Sequence, residues 1–289
     1  VYVSRRKAQA VDRARQIIVV SDLHCGCQLG LCPPPEVHKV PLDGGGWYEP
    51  SDLQRKVWAW WEEFWHEWVP SQTRGEPYGV VINGDAIEGA HHRAKTPITT
   101  NFADQIALAK TVLLPVLTGV AAAWMVRGTE AHVGECAENE ELLSQQLPVR
   151  KTEHGRGTRI ELRLRVGDAL VDIQHHIAAT GSSAFETTAL QREFVIACEE
   201  AGRWGREPPD VLIRAHRHRA AKTEVPTRKG SGIVLTTPGW QLKTPYAYRL
   251  PGGRQSYPQF GGVLVRHGDE HIYTKHRVWD IDRSPVEEL

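Results

Sequence analysis

Five short apolar runs, each followed at once by carboxylates or imidazoles, constrain this chain more than any other feature. Ile17-Ile18-Val19-Val20 leads into Asp22-Leu23-His24, and Val80-Val81-Ile82 leads into Gly84-Asp85. Ala123-Trp124-Met125-Val126 leads into Gly128-Thr129-Glu130-Ala131-His132, Leu170-Val171-Asp172-Ile173 into His175-His176, and Val211-Leu212-Ile213 into His216-Arg217-His218. Runs of this length and composition read as buried β-strands. Carboxylates and imidazoles at the ends of successive strands converge on one rim of a sheet, which is where an α/β protein builds a site.

The residue types suit metal chemistry. A carboxylate between two cations can bridge them and offset their repulsion, while neutral imidazoles suit Zn, Fe and Mn more than Mg or Ca. Two metals about 3.5–4 Å apart clamp the attacking and the leaving oxygen of a phosphoryl displacement. Asp85 is the candidate bridge; Asp22, His24 and His218 complete one metal's shell, and His175 and His216 serve the other.

In this order and context the blocks resemble the calcineurin-like metallophosphoesterases, whose pattern runs D-x-H, G-D-x-x-[DE], G-N-H-[DE], a lone His and G-H-x-H. Here the pattern is met by Asp22-Leu23-His24, Gly84-Asp85-Ala86-Ile87-Glu88, Gly128-Thr129-Glu130-Ala131-His132, His175 and Ala215-His216-Arg217-His218. The likeness covers most of the chain, from Ile17 to Trp240. It implies a four-layer αββα sandwich, an α/β (α+β) fold of two mixed β-sheets flanked by helices. It also implies hydrolysis of phosphoesters by water activated between two divalent or transition metal ions, with Mn favoured over Fe, Zn and Mg.

The chain departs from the pattern in two places. Ala215 replaces a turn glycine, a mild change. In the third block the family's Asn ligand and the His after it become Thr129-Glu130-Ala131-His132. The simplest reading puts Glu130 in the Asn's role as a metal ligand, with Thr129 as the fallback. His132, displaced along the loop, then takes the family histidine's place near the leaving oxygen, as proton donor or transition-state stabiliser. Neighbouring strand residues face opposite ways, so His175 and His176 compete for one slot; related His-His segments favour His175. His91 and His92 just past the second block, and Arg127 just before the third, are candidate contacts for substrate phosphate, with a solvated polar loop as the alternative at His91 and His92.

The expected substrate is a phosphoester, a phosphodiester such as DNA, RNA or a nucleotide being favoured over a phosphomonoester. A metal-depleted scaffold is the non-enzymatic rival. Net charge is zero, with 35 basic and 35 acidic residues, so there is no global electrostatic case for nucleic acid. Local basic clusters remain at Arg5, Arg6, Lys7, Arg13 and Arg15, and at Arg203, Arg206, Arg214, Arg217 and Arg219. Five cysteines, an odd number, argue against a disulfide framework and fit a reducing compartment. Cys25, Cys27 and Cys32 find no second Cys or Cys/His pair to complete a zinc site, and read as loop thiols.

No stretch reaches the roughly 20 apolar residues of a membrane span, and the charged start has no signal-peptide core. A cytoplasmic protein without membrane contact is expected, organised over 1–289 as one domain. The chain opens on Val1 rather than Met, so trimming or processing at the start is expected. The Pro- and Gly-rich loop over 26–50 borders the first block and is long enough to act as a lid.

Helices are predicted from Ser51 to Trp68, stopped by Pro70, from Asn101 to Leu117, from Glu138 to Leu147 and from Ala184 to Ala201. The first carries five of the ten tryptophans, which spacing assigns mainly to a core face. A hairpin turning at Gly167-Asp168 precedes the fourth block. Strands over 232–237, 262–266 and 270–278 are expected to complete a second sheet.

Overall fold

The apolar runs are continuous, not alternating, because both faces of each strand are covered. In the computed structural model, which describes residues 14–90, 94–134, 136–177, 183–249, 256–269, 271–282 and 286–288, the chain runs through β1 (Gln16–Val20), α1 (Asp52–Glu63), α2 (Val69–Thr73), β2 (Gly79–Asn83), α3 (Phe102–Leu117) and β3 (Ala122–Val126). There follow α4 (Glu130–Val133), α5 (Glu138–Gln145), β4 (Thr158–Arg159), β5 (Leu162–Val166), β6 (Ala169–Ile173) and α6 (Glu186–Arg203). The last elements are β7 (Val211–Arg214), β8 (Ala221–Thr227), β9 (Gly230–Thr236), β10 (Gln259–His267) and β11 (Ile272–Asp280). The basic residues from Arg5 to Arg13 lie outside the described residues.

One sheet has the order β11-β10-β1-β2-β3-β4 and the other β5-β6-β7-β9-β8. Both are mixed: β1 to β4 are parallel with β10 antiparallel to β1, and β6, β7 and β9 are parallel between antiparallel edges. Alternate residues of each strand face opposite layers. Ile18, Val20, Val80 and Ile82 pack with Val57, Trp61, Phe64 and Leu113 of α1 and α3 and the turn between α1 and α2. Ile17, Val19 and Val81 meet Val171, Ile173, Val211 and Ile213 between the sheets. Leu190 and Phe194 of α6 cover Leu212 and Val234 on the far side. The four layers are thus helices, sheet, sheet, helix.

The strands after the fifth block divide between the sheets. β9 joins the second, whereas β10 and β11, expected there too, return to the first, where β10 pairs with β1 through Gln16↔Arg266 to Val19↔Val263. The apolar content of β10 suits either sheet, and its pairing partner is a long-range choice that local pattern does not contain. β8 was not anticipated: it is an edge strand of alternating burial and mixed composition.

Ser51 caps α1 through a reciprocal capping box with Gln54, as the Ser-to-Gln spacing leads one to expect. Pro70 does not end this helical stretch. The segment Phe64–Trp68 widens into a π-turn in which the Val69 N–H reaches Phe64 O, and α2 resumes with the proline in its first turn. There the missing N–H of proline costs least. The tryptophans build core: Trp61 stands edge-on to Trp65 and Trp240, and Trp60 stacks on Trp279.

Replacing Trp61, which is fully buried, by Ala should cost about 3–5 kcal/mol of stability, read as a lower urea midpoint at unchanged slope. A change under about 1 kcal/mol would mean that the helix layer does not seal this sheet.

Candidate metal centre

Each block begins where a strand ends, and in the first, second and fifth the backbone there takes an uncommon turn. Among the described residues seven that are not glycine have positive φ, and five of them are Asp22 (55°), His24 (47°), Asp85 (51°), His216 (70°) and His218 (52°). A left-handed backbone costs an L-residue roughly 1–2 kcal/mol, and such strain gathers at functional sites. The turns are held by hydrogen bonds that continue the ladders past the strand ends: Asp22 N to Gly84 O (3.0 Å), His24 N to Asp85 O (3.0 Å) and Ala215 N to His175 O (2.9 Å).

The effect is to bring together side chains far apart in sequence. Three groups of ligand atoms, each group within 4.8 Å, are formed by Asp22, His24 and His218, by His24, Asp85 and His132, and by Asp85, His175 and His216. His24 and Asp85 each belong to two groups. Asp22 Oδ1 stands 3.2 Å from His218 Nε2 and 3.8 Å from His175 Nε2. His175 Nε2 lies 3.0 Å from Asp85 Oδ2. The Nε2 atoms of His24 and His218 face each other at 3.3 Å.

The other ring nitrogens are already engaged. His175 Nδ1 donates to Asn83 O (2.6 Å), His132 Nδ1 to Glu88 O (2.6 Å), and His24 Nδ1 to Glu88 Oε2 (3.1 Å). This leaves Nε2 of each facing the carboxylates, the tautomer that second-shell partners impose on ligating histidines. The donor set fits a cation by a further sign. Asp22 Oδ1 and His175 Nε2 are buried and make no hydrogen bond, although both lie close to opposite charge. Buried polar atoms are seldom left so.

Charge follows the geometry. Burial favours the neutral acid at Asp22, yet His218 and His175 hold its carboxyl well below the ordinary range. Asp85 is likewise buried, and His175 and His132 hold it low. Burial alone would strip the proton from His175, but Asp85 and Asp22 outweigh it and raise the imidazole to about 10. By contrast burial and a neighbouring imidazole hold His132 and His216 down at about 4. Two carboxylates therefore demand positive charge, and neutral imidazoles stand beside them.

The third block folds differently from its simplest reading. Thr129 caps α4, and the inserted residues wind into one helical turn. Residues three apart share a helix face, so Thr129 and His132 turn inward while Glu130 points out, exposed and in none of the three groups. Thr129 N donates to Asp85 Oδ1 (2.7 Å), and its hydroxyl lies 3.2 Å from both Asp85 oxygens. His175 is buried in the cluster and His176 is exposed beside it, its ring 6.0 Å from that of His216. Arg127 turns to the sheet edge, where Nε donates to Thr158 Oγ1 at 3.0 Å. His91 and His92 lie outside the described residues.

Two buried carboxylates were missed as supports. Glu88, inside the second block, holds His24 and also accepts from Gln241 Nε2 (3.2 Å) and Thr96 Oγ1 (3.2 Å). The acid position of the block was its only signal. Glu140 of α5 accepts from Ala86 N and Gly128 N, both at 2.9 Å, and so ties the second block to the third. Burial and the nearby Asp85 raise it to about 7, and nothing local in the sequence marks it. The loop over 26–50 is in part core: Cys27, Leu31, Cys32 and Val40 are buried, as is Cys25 just before it. The cysteines are free and none falls in a ligand group among the described residues.

The chain matches no protein-family model and no curated protein in sequence. Solved structures with a similar course include Vps29 complexed with zinc from Entamoeba histolytica, at 12% identity over 92% of this chain and 98% of that one, with a TM-score of 0.39. A conserved protein of Streptococcus pneumoniae, described as a predicted phosphoesterase, matches at 11% identity over 91% and 97% of the two chains, with a TM-score of 0.36. Vacuolar protein sorting 29 of Cryptosporidium parvum matches at 10% identity over 93% and 100%, with a TM-score of 0.36.

A Cβ on Gly128 would overlap Asp85 Oδ1. Mn²⁺ at about 1,000 times its dissociation constant should stabilise the unaltered protein by about 4 kcal/mol, whereas Gly128→Ala should lose most of that gain. Equal stabilisation of both in denaturant melts would detach Asp85 from metal binding.

Proposed function

We propose that this protein is a metal-dependent phosphoesterase of the calcineurin-like type, acting on phosphodiesters in preference to phosphomonoesters. The observation that carries the reading is that Asp85 belongs to two ligand groups, one with His24 and His132 and one with His175 and His216, while His24 links the first of these to Asp22 and His218. Asp22, His24, Asp85 and His218 would hold one cation, and Asp85, His175 and His216 the other. Mn²⁺ is the ion proposed, with the carboxylates of Asp22 and Asp85 in the set; the four imidazoles suit Zn and Fe as well. When bound, such a pair supplies Lewis acidity and makes water nucleophilic near neutral pH.

The protein's own residues perform the rest. Glu88 keeps His24 Nδ1–H engaged, so that Nε2 is the atom left to offer a lone pair once a cation replaces its proton. Asn83 does the same for His175 through its backbone carbonyl. Thr129 and Gly128 fix the Asp85 carboxylate in position through the N–H of Thr129 and the tight approach of Gly128. His132 is the group placed beside the departing oxygen. With Nδ1–H committed to Glu88 and the ring held neutral near pH 7, its Nε2 must take up a proton before it can give one. The negative charge of an arriving phosphoester raises its affinity for that proton.

No helix among the described residues is long and apolar enough to cross a membrane. The rim is open to substrate at His216 and His176, both exposed.

With Mn²⁺ added, bis-p-nitrophenyl phosphate should be turned over faster than p-nitrophenyl phosphate, and Asp85→Asn should abolish both metal loading and turnover. The reverse preference would make the protein a phosphomonoesterase; full activity of Asp85→Asn would refute the bridge, and absence of both metal and activity would leave a scaffold. His132→Ala should retain near-normal metal content while kcat falls about 10²–10⁴-fold, the span of general acid–base catalysis. If metal is lost instead, His132 is itself a ligand, as its place beside His24 and Asp85 permits.

A further inference from the structure

The segment after the fifth block leaves the metal rim and returns to it. At its start Trp240 N donates to Asp22 O (2.9 Å) and Leu242 N to Leu29 O (2.7 Å). At its end Gln259 N donates to His218 O (2.8 Å), and Gly239 N closes the stem on Gln259 O (3.0 Å). Both strands of the stem are thus fastened to the backbone of candidate ligands. Between them the chain carries Lys243, Tyr246, Tyr248 and Tyr257.

Two of these rings stand against one cation, and the exposed Tyr246 lies two residues before the first of them. Lys243 Nζ lies 3.9 Å from the centre of the Tyr248 ring and 4.8 Å from that of Tyr257. Tyr248 is 49% exposed and Tyr246 57%, in contrast to the buried Trp61 of α1. Single surface aromatics are ordinary, but rings gathered at a cation beside a phosphoester site need a different account. Exposed ring faces next to positive charge are what successive bases and their phosphates require of a single-strand binding surface. In a duplex the base faces are already stacked on one another and closed to such rings.

We propose that Lys243, Tyr246, Tyr248 and Tyr257 form a stacking platform for the bases of a single-stranded nucleic acid whose phosphodiester backbone enters the metal centre. The proposal rests on the phosphodiesterase reading and deepens it by naming the substrate class. Lys243 is two residues from Gln241, a chain reach of about 7 Å, and Gln241 touches Glu88, the partner of His24. A strand stacked on the platform therefore places a phosphate within a few nucleotides of the ligands. DNA and RNA present the same ring faces, and which is preferred is read by comparing the two.

The test is fluorescence anisotropy of the Mn²⁺-loaded protein with labelled phosphorothioate strands that resist cleavage: single-stranded DNA, single-stranded RNA, the duplex, and an abasic strand of equal length. Single strands should bind best. Tyr248→Ala should weaken binding about tenfold, while Tyr248→Phe, which keeps the ring, should bind as the parent does. Lys243→Ala should weaken binding and flatten its salt dependence. Equal binding by Tyr248→Ala, equal binding of the abasic strand, or preference for the duplex would overturn the platform. Turnover of bis-p-nitrophenyl phosphate by the parent protein, too small a substrate to need the platform, reports separately on the metal-centre reading. Metal content and melting temperature of each variant guard against misfolding.

Discussion

The rim of this fold is governed by the burial of two carboxylates. Asp22 and Asp85 are out of water, and an uncompensated buried charge costs several kcal/mol. Positive charge must come to them, and the imidazoles of His175 and His218 stand within 3.8 Å of their oxygens. Imidazole is a versatile answer, since it can carry a proton or, when neutral, offer a lone pair to a cation. By itself the cluster answers the demand with a proton on His175, raised to about 10 by Asp85 and Asp22. A metal ion would meet the same demand with more charge and with better use of His216, whose imidazole is already neutral.

Holding these groups in place costs backbone energy that the sheets supply. Five left-handed residues among the ligands would each relax in a free loop. They persist because the loops are tied to one another across both sheets. Asn83 Nδ2 donates to Gln174 O (3.1 Å), His216 N lies 3.3 Å from Asp22 Oδ2, and Ser21 Oγ meets Thr237 Oγ1 at 2.6 Å. Glu140 adds a link from the helix layer. A ligand cannot shift without breaking a buried hydrogen bond, and that loss costs about 1–3 kcal/mol.

Sequence reading reached the parts of this design that are written locally. Strand runs, the Ser51 cap, the hairpin at Gly167-Asp168 and the crossover through α3 each follow from a few adjacent residues. The grouping of Asp22, His24, Asp85, His175, His216 and His218 was legible because each stands at a strand end, where topology does the gathering. What escaped depended on distance or on helical phase. The return of β10 to β1 is a pairing choice between remote segments. The inward turn of Thr129 in place of Glu130 hinges on whether four residues coil, and Glu140 acts from another helix. Pro70 misled because a π-turn, set by packing around Phe64 and Trp68, absorbed it.

Recognition in such a molecule has to be short-ranged. With equal numbers of acidic and basic residues, the chain has no long-range pull on a polyanion. Three of the arginines around the fifth block are held in ion pairs. Arg214 pairs with Asp172 at 2.8 Å, Arg219 with Glu186 at 2.8 Å, and Arg203 with Glu199 at 2.7 Å. Their charge is spent on the protein, largely at α6 and β7. Among the described residues beside the rim, Lys243 stands against two aromatic rings. A substrate is then selected by what it presents within a few ångströms: a phosphate for the ligands and flat faces for the tyrosines. On the stacking-platform proposal, both demands are met by a single strand of nucleic acid, whose base faces are not closed on one another as they are in a duplex.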